Sequence, residues 1–301
     1  MVNSQESITA KLCTFARAYH SNFEKEKIFD DHLAYDLMGI DEYRQMGQLM
    51  ENKFRVESIT DDPSFKREHI LPRLIKYISP IPLSRIAYTE GELLKFAKSH
   101  DRCQYVICGA GMDSFAFRNT SGNIEIYEID HPDTQNYKKE RIKALEWNIP
   151  ENLHFAAVDF SKDDMREKLH SEGFRDDLPT FFAVPGVTYY ITLSTFEDTL
   201  KKINCISTTG SKIVFDFPDD TTFEAETPKR VRRLSDITEG LGEPMLHGFA
   251  VSEVKAALKA QGFTVESHLS PDNIQERFFK NRSDEQKAFE NIHFITAVKG
   301  E

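Results

Sequence analysis

Residues 104–130 read QYVICGAGMDSFAFRNTSGNIEIYEID, and the order of residue types within them decides the fold. A short apolar run stops at Gly109-Ala110-Gly111, and a second, NIEIYEID, closes on the carboxylate of Asp130. A strand that hands its chain to a glycine turn lets a nucleotide approach the backbone more closely than any Cβ would permit.

Glycine-x-glycine after a strand is shared by chains that bind NAD, FAD or adenosylmethionine, so on its own it is weak. Two details refine it. Ser114 stands where the third glycine of the dinucleotide fingerprint would fall, so the pyrophosphate-binding form is incomplete. Asp130 lies 21 residues beyond Gly109, where a carboxylate can accept from both ribose hydroxyls. The same residue precedes Pro132 and is a candidate helix N-cap.

Outward from this stretch, strands and helices alternate. LHFAAVDF, PTFFAVPGVTYYI and SKIVFDFP read as strands, separated by the helical segments HPDTQNYKKERIKALEWN, KDDMREKLHSEG and STFEDTLKKINCIS. That alternation predicts a parallel sheet with helices on both faces. After the helix SEVKAALKAQG come two more strands, GFTVESHLS and IHFITAVKG, joined by a polar stretch read as helical. With no adequate crossover between them, they predict an antiparallel edge, which a plain dinucleotide-binding domain lacks. Asp159-Phe160 closes the third strand, where a carboxylate and a ring can flank a purine. The expectation is a doubly wound α/β fold, a mostly parallel seven-stranded Rossmann-like sheet with an antiparallel C-terminal strand.

The first hundred residues read as helices: SITAKLCTFARAYHSNFEK, IFDDHLAYDLMG, EYRQMGQLMENKF and HILPRLIKYI. Pro80 and Pro82 are expected to break this run and deliver the chain to the main domain. The reading is an N-terminal helical cap over 1–84 and a nucleotide-binding domain over 85–301. Residues 219–248 form a charged, irregular insertion near the acceptor pocket, with PKRVRRL as a solvated helical face in preference to a basic rim.

The 301 residues are 40% hydrophobic and carry a formal charge of −11, which argues against a general nucleic-acid binder. No apolar run reaches membrane-spanning length, and MVNSQESITAKL lacks the pattern of a leader, so a cytoplasmic chain is expected. Four cysteines (Cys13, Cys103, Cys108 and Cys205) make neither a zinc pattern nor a disulfide framework, and no metal is expected.

At SRIAY, VICGAGMDSFAFR, YEIDHPDTQNYKKERI, VDF, FFAVPGVTYYIT and KIVFDF the chain resembles the leucine carboxyl methyltransferase family, particularly its bacterial branch related to polyketide O-methyltransferases. SITAKLCTFARAYHS, IFDDHLA and GFTVESHLSP extend the likeness over nearly the whole chain. The resemblance implies a class I S-adenosylmethionine-dependent methyltransferase, with S-adenosyl-L-methionine as cofactor. It makes Arg85 the partner of the methionine carboxylate and puts Gly109, Ala110, Gly111 and Asp113 in the cofactor loop. Asp130 becomes the ribose ligand, with Glu128 alongside, and Asp159 and Phe160 the adenine contacts. The family's fourth strand ends in Glu-Gly, whereas here Pro185 precedes Gly186 and removes a carboxylate and an N–H donor.

Methyl transfer from a sulfonium is an in-line displacement governed by alignment and exclusion of water. An ionised carboxylate acceptor needs no base, whereas an alcohol or phenol benefits from one. Tyr189, Tyr190 and His20 are the candidates for alignment or base; Arg17, Tyr19, Tyr88 and His247 are candidates for acceptor binding. The expected function is O-methyl transfer to a carboxylate or hydroxyl of a small-molecule acceptor. The alternatives are a cofactor-binding scaffold, prompted by Pro185, a carboxyl methyltransferase acting on a protein C-terminus, and an NAD-dependent oxidoreductase, which the missing third glycine disfavours.

Overall fold

The computed structural model describes residues 7–53, 70–160 and 162–301. Residues 1–6 and the ends of two predicted helices, Phe54 and His69, lie outside the described residues. Among the described residues the first elements are the helices α1 (Ile8–Phe23), α2 (Ala34–Met38), α3 (Ile40–Lys53), α4 (Ile70–Ile78) and α5 (Pro80–Lys98). The sheet region follows as β1 (Cys103–Cys108), α6 (Phe115–Arg118), β2 (Ile124–Asp130), α7 (Pro132–Ala144), β3 (Leu153–Ala157), α8 (Met165–Ser171), β4 (Thr180–Val184) and α9 (Leu193–Cys205). It ends with β5 (Lys212–Pro218), α10 (Lys229–Gly240), α11 (Val251–Ala260), β6 (Phe263–Leu269), α12 (Pro271–Ile274) and β7 (Ile292–Lys299).

Among the described residues seven strands form one sheet in the order β3-β2-β1-β4-β5-β7-β6. The first five are mutually parallel, and β7 is antiparallel to both β5 and β6, as predicted. Side chains of alternate residues separate two cores. On the cap side Tyr105, Ile107, Ile126, Phe181, Val214 and Phe294 pack under α1, α4 and α5. On the far side Val106, Ile129, Phe182 and Phe215 pack on Phe196 and Leu200 of α9 and Leu258 of α11. Burying both faces explains strands that are near-continuously apolar. Cys103 and Cys108 belong to these cores, and burial pushes their thiols up to about 11 and about 12.

The structure differs from several local expectations. The break expected at Pro80 and Pro82 is present but confined to Ser79, and Pro80 occupies the first position of α5, where a missing N–H costs nothing. The boundary read at 84/85 lies inside this helix. Residues 219–248 are not irregular throughout, because Val231, Leu234 and Ile237 form the buried stripe of α10. The stretch before β7 is helical only to Phe279, and Asn281 and Glu285 then take left-handed backbone (φ 60° and 63°). The N-cap of α7 is His131 rather than Asp130.

Candidate active site

The carboxyl ends of β1, β2, β4 and β5 meet beneath α1. Gly109 (φ 75°) and Gly111 (φ 52°) adopt left-handed backbone that favours glycine. A Cβ at Gly109 would lie 3.4 Å from Val187 of the β4 turn, and one at Gly111 would lie 3.8 Å from Ala10 of α1. The loop is therefore a narrow cradle roofed by the cap. Gly111 N donates to Asp130 Oδ2 at 2.6 Å and His131 N to Asp130 Oδ1 at 2.7 Å. Burial raises the Asp130 carboxyl above its usual range, opposed by these two backbone donors. Each oxygen retains a lone pair that can accept a sugar hydroxyl. Asp113 closes the turn by accepting from Phe115 N at 2.7 Å. Underneath, Lys138 Nζ donates at 2.5 Å to both Asp113 O and Glu128 Oε2, so Glu128 does face inward.

At the next strand end, Phe160 is left 49% exposed. Asp159 pairs with Lys162 at 2.6 Å, and its N–H donates to Asp163 Oδ2 at 2.9 Å. This corner offers an aromatic edge and an acceptor for a purine.

On the other side, β4 ends at Val184, and Pro185 and Gly186 (φ 71°) begin the turn. A Cβ on Gly186 would overlap the Arg85 guanidinium, which fixes glycine at that place. Arg85 Nη1 donates to Asp216 Oδ2 at 3.0 Å, while Nη2 meets, among the described residues, the weak acceptor Cys13 Sγ at 3.7 Å. Asp216 also accepts from Tyr189 OH at 2.6 Å and from Gly186 N at 2.7 Å. Tyr190 lies beside Thr9 of α1, and burial pushes its hydroxyl up to about 12; burial raises Tyr189 further. Glu243, following α10, caps α1 by accepting from Ile8 N at 2.7 Å, Ser7 Oγ at 2.9 Å and both the N–H and hydroxyl of Thr9.

The structure thus gathers Arg85, the glycine loop, Asp130, Gly186, Tyr189 and Tyr190 around one cradle. Four candidates fall elsewhere or are occupied. Arg17 is buried, pairing with Asp31 at 2.5 Å and donating to Met112 O at 2.8 Å, so it ties the cap to the loop instead of facing an acceptor. Tyr88 is 1% exposed, with its hydroxyl 2.6 Å from Thr296 Oγ1 in the sheet interior. Tyr19 packs against Phe23 with ring centroids 5.0 Å apart, about 15 Å along α1 from Thr9 and about 9 Å from Cys13. His247 is exposed one residue after Leu246, whose N–H donates to Tyr189 O at 2.9 Å. Of the basic run, Arg230 covers the Phe289 ring at 3.7 Å and donates to Ala288 O, which removes it from any rim.

His20 is also turned from the cradle. It is 1% exposed, and its Nε2 accepts from Ile28 N at 2.8 Å. Burial lowers its pKa from 6.5 to about 4, helped by the nearby charges of Lys27 and Arg282. Its folded value is depressed, so the neutral form stabilises the fold, and that contribution is lost as pH falls from 6.5 towards 4. His20→Gln, which keeps an acceptor without a titrating ring, is expected to flatten the fall in melting temperature between pH 7 and pH 4.5. An unchanged fall would assign the acid sensitivity to other groups.

Asp216, Glu243 and Lys138 were not singled out from the sequence. For Asp216 a signal existed, since one charge inside the apolar run KIVFDFP is unusual in a strand buried on both faces. Nothing local marks Glu243, whose partners lie on α1, or Lys138, which reaches back to Glu128 of the preceding strand and to the glycine loop. Among the described residues no helix is long and apolar enough to cross a membrane.

Comparison with known proteins finds a family and relatives for the chain. The model of the family described as leucine carboxyl methyltransferase matches residues 10–204. The chain is 38% identical to the Bacillus subtilis protein named "Putative S-adenosyl-L-methionine-dependent methyltransferase YktD", over 99% of this chain and all of that one. A Mycobacterium avium protein, "Putative S-adenosyl-L-methionine-dependent methyltransferase", is 26% identical over 65% of this chain and 67% of its own. The fold is similar to that of a duf574 family protein from Streptomyces avermitilis, with a TM-score of 0.57 at 9% identity, covering 99% of this chain and all of that one.

Proposed function

The chain belongs to the leucine carboxyl methyltransferase family and is an S-adenosylmethionine-dependent methyltransferase; from that premise we propose that it methylates an oxygen of a small-molecule acceptor, an ionised carboxylate in preference to a hydroxyl. Bound S-adenosylmethionine supplies an electrophilic sulfonium methyl group. Arg85 holds the methionine carboxylate through the guanidinium edge not engaged by Asp216. Asp130 accepts from the ribose, and Asp159 with Phe160 flanks the adenine. The glycines of the loop admit the nucleoside close to the backbone.

One observation favours the carboxylate. Tyr189 and Tyr190, beside Arg85, are both held protonated by burial, and His20 faces away. An acceptor that brings its own negative charge needs no proton removed, so alignment beneath α1 and exclusion of water suffice. Tyr190 can donate a hydrogen bond to such an acceptor.

S-adenosylhomocysteine is expected to bind and NAD not to, as titration calorimetry would show. With radiolabelled S-adenosylmethionine and matched aliphatic acids, aromatic acids, phenols and alcohols, label is expected in alkali-labile methyl esters. Alkali-stable ethers formed only from hydroxyl compounds would overturn the carboxylate reading. Binding of S-adenosylhomocysteine with no transfer to any small molecule would support the scaffold or protein-substrate alternatives.

A further inference from the structure

Asp216 receives three hydrogen bonds at the edge of the cradle. It is 1% exposed and projects from β5 towards the cap. Its Oδ2 accepts from Arg85 Nη1 and Tyr189 OH, and its Oδ1 from Gly186 N, at 3.0, 2.6 and 2.7 Å. A buried carboxylate is expensive to keep ionised, and three converging donors, one cationic, offset that expense. All three donors belong to the corner where the methionine end of the cofactor is proposed to sit. Two of them carry the site's defining constraints. Arg85 is a long side chain with several rotatable bonds, and Gly186 occupies a left-handed turn directly against its guanidinium. Held by Nη1, the guanidinium presents Nη2 beside Cys13.

We propose that Asp216 is the positioning residue for the cofactor's methionine end, pre-setting Arg85 and the Pro185-Gly186 turn in their binding geometry. The proposal rests on the reading of Arg85 as the methionine-carboxylate ligand. Pro185 has neither a carboxylate nor an N–H, so the anchor for this corner comes from the neighbouring strand. Ordering Arg85 before binding spares the cofactor the entropy of freezing it, which is how preorganisation raises affinity. Asp216 makes this contribution through Arg85, without contacting the reacting methyl.

The test is a double-mutant cycle on S-adenosylhomocysteine affinity, using the full chain and titration calorimetry. Asp216→Asn keeps the shape and one acceptor oxygen but removes the charge. It is expected to weaken binding by about tenfold, the scale of a hydrogen bond to a charged group. In an Arg85→Ala background the same substitution is expected to change affinity less than about twofold. Equal losses in both backgrounds, or no loss in the wild-type background, would overturn the proposal. If Asp216→Asn fails to fold, Tyr189→Phe decides. It removes one donor to Oδ2 and leaves the carboxylate, so a loss of a few-fold is expected with Arg85 present and none without it. Equal effects with and without Arg85 would again overturn the proposal. Absence of S-adenosylhomocysteine binding by the wild-type protein is a separate result, which defeats the reading of the site itself.

Discussion

Lys138→Ala is expected to remove about 3–5 kcal/mol of folding stability, the usual consequence of deleting one partner of a buried ion pair. Both side chains of the Lys138–Glu128 pair are almost wholly buried, 2.5 Å apart. Glu128 Oε1 has no hydrogen-bond partner among the described residues, so its charge is answered only through Oε2 and Lys138. Burial already pushes Glu128 up to about 7 despite that cation. A carboxyl whose folded pKa is raised contributes stability that is present below its unfolded value and lost as pH rises through about 7. Without Lys138 the folded value rises further, so the variant's loss is expected to be greater at pH 8 than at pH 5.5. Urea unfolding at the two pH values measures this. Lys138→Met combined with Glu128→Leu is expected to recover most of the loss, because it withdraws the buried charge together with its partner. A single substitution that costs the same at both pH values would contradict this account.

Arg85→Ala is expected to weaken S-adenosylhomocysteine binding by about 1.5–3 kcal/mol, the range for a hydrogen bond to a charged group. Arg85→Lys is expected to recover only part of it. Lysine's single ammonium cannot fill the fork that spans Asp216 and a ligand carboxylate, so charge returns without two-sided geometry. Affinity by calorimetry, with thermal unfolding as the control for folding, tests both variants. Affinity retained by a folded Arg85→Ala would leave Arg85 as the structural counter-ion of Asp216 and nothing more.

Much of the fold was legible because it rests on local chemistry. The β1–glycine–β2 unit is written in consecutive residues, and alternating apolar runs at β3, β4 and β5 leave little choice but a parallel sheet. The paired strands β6 and β7 without a crossover announced the reversed edge. Pro80 and Pro82 marked the break at Ser79 but not that a new helix starts there, because proline stops one helix by the same property that suits it to the start of the next. Asp130 and Arg85 were legible as positions in motifs. Their partners, Gly111 N and Asp216, were not, since a motif names a residue and not the contact that orients it. Arg17, Tyr88 and His20 have the chemistry expected of a site, but tertiary packing commits them to Asp31, Thr296 and the Ile28 amide. A single sequence does not say which of several suitable side chains faces inward.

The carboxylate of Asp31 binds together segments that are far apart along the chain. It receives Arg17 from α1, Ser114 Oγ from the cofactor loop at 2.5 Å, and Arg118 at 3.4 Å; Arg118 in turn clasps Glu90 of α5. During synthesis, residues 8–31 emerge well before the groups that complete this cluster. Until residues 114–118 have left the ribosome, Asp31 has Arg17 as its side-chain partner, although α1 can already rest on α2, α3, α4 and α5. The cluster that ties α1 to the cofactor loop therefore waits for some ninety residues of nascent chain. The cradle itself is completed later still, when Gly186, Tyr189 and Asp216 arrive and Glu243 caps α1.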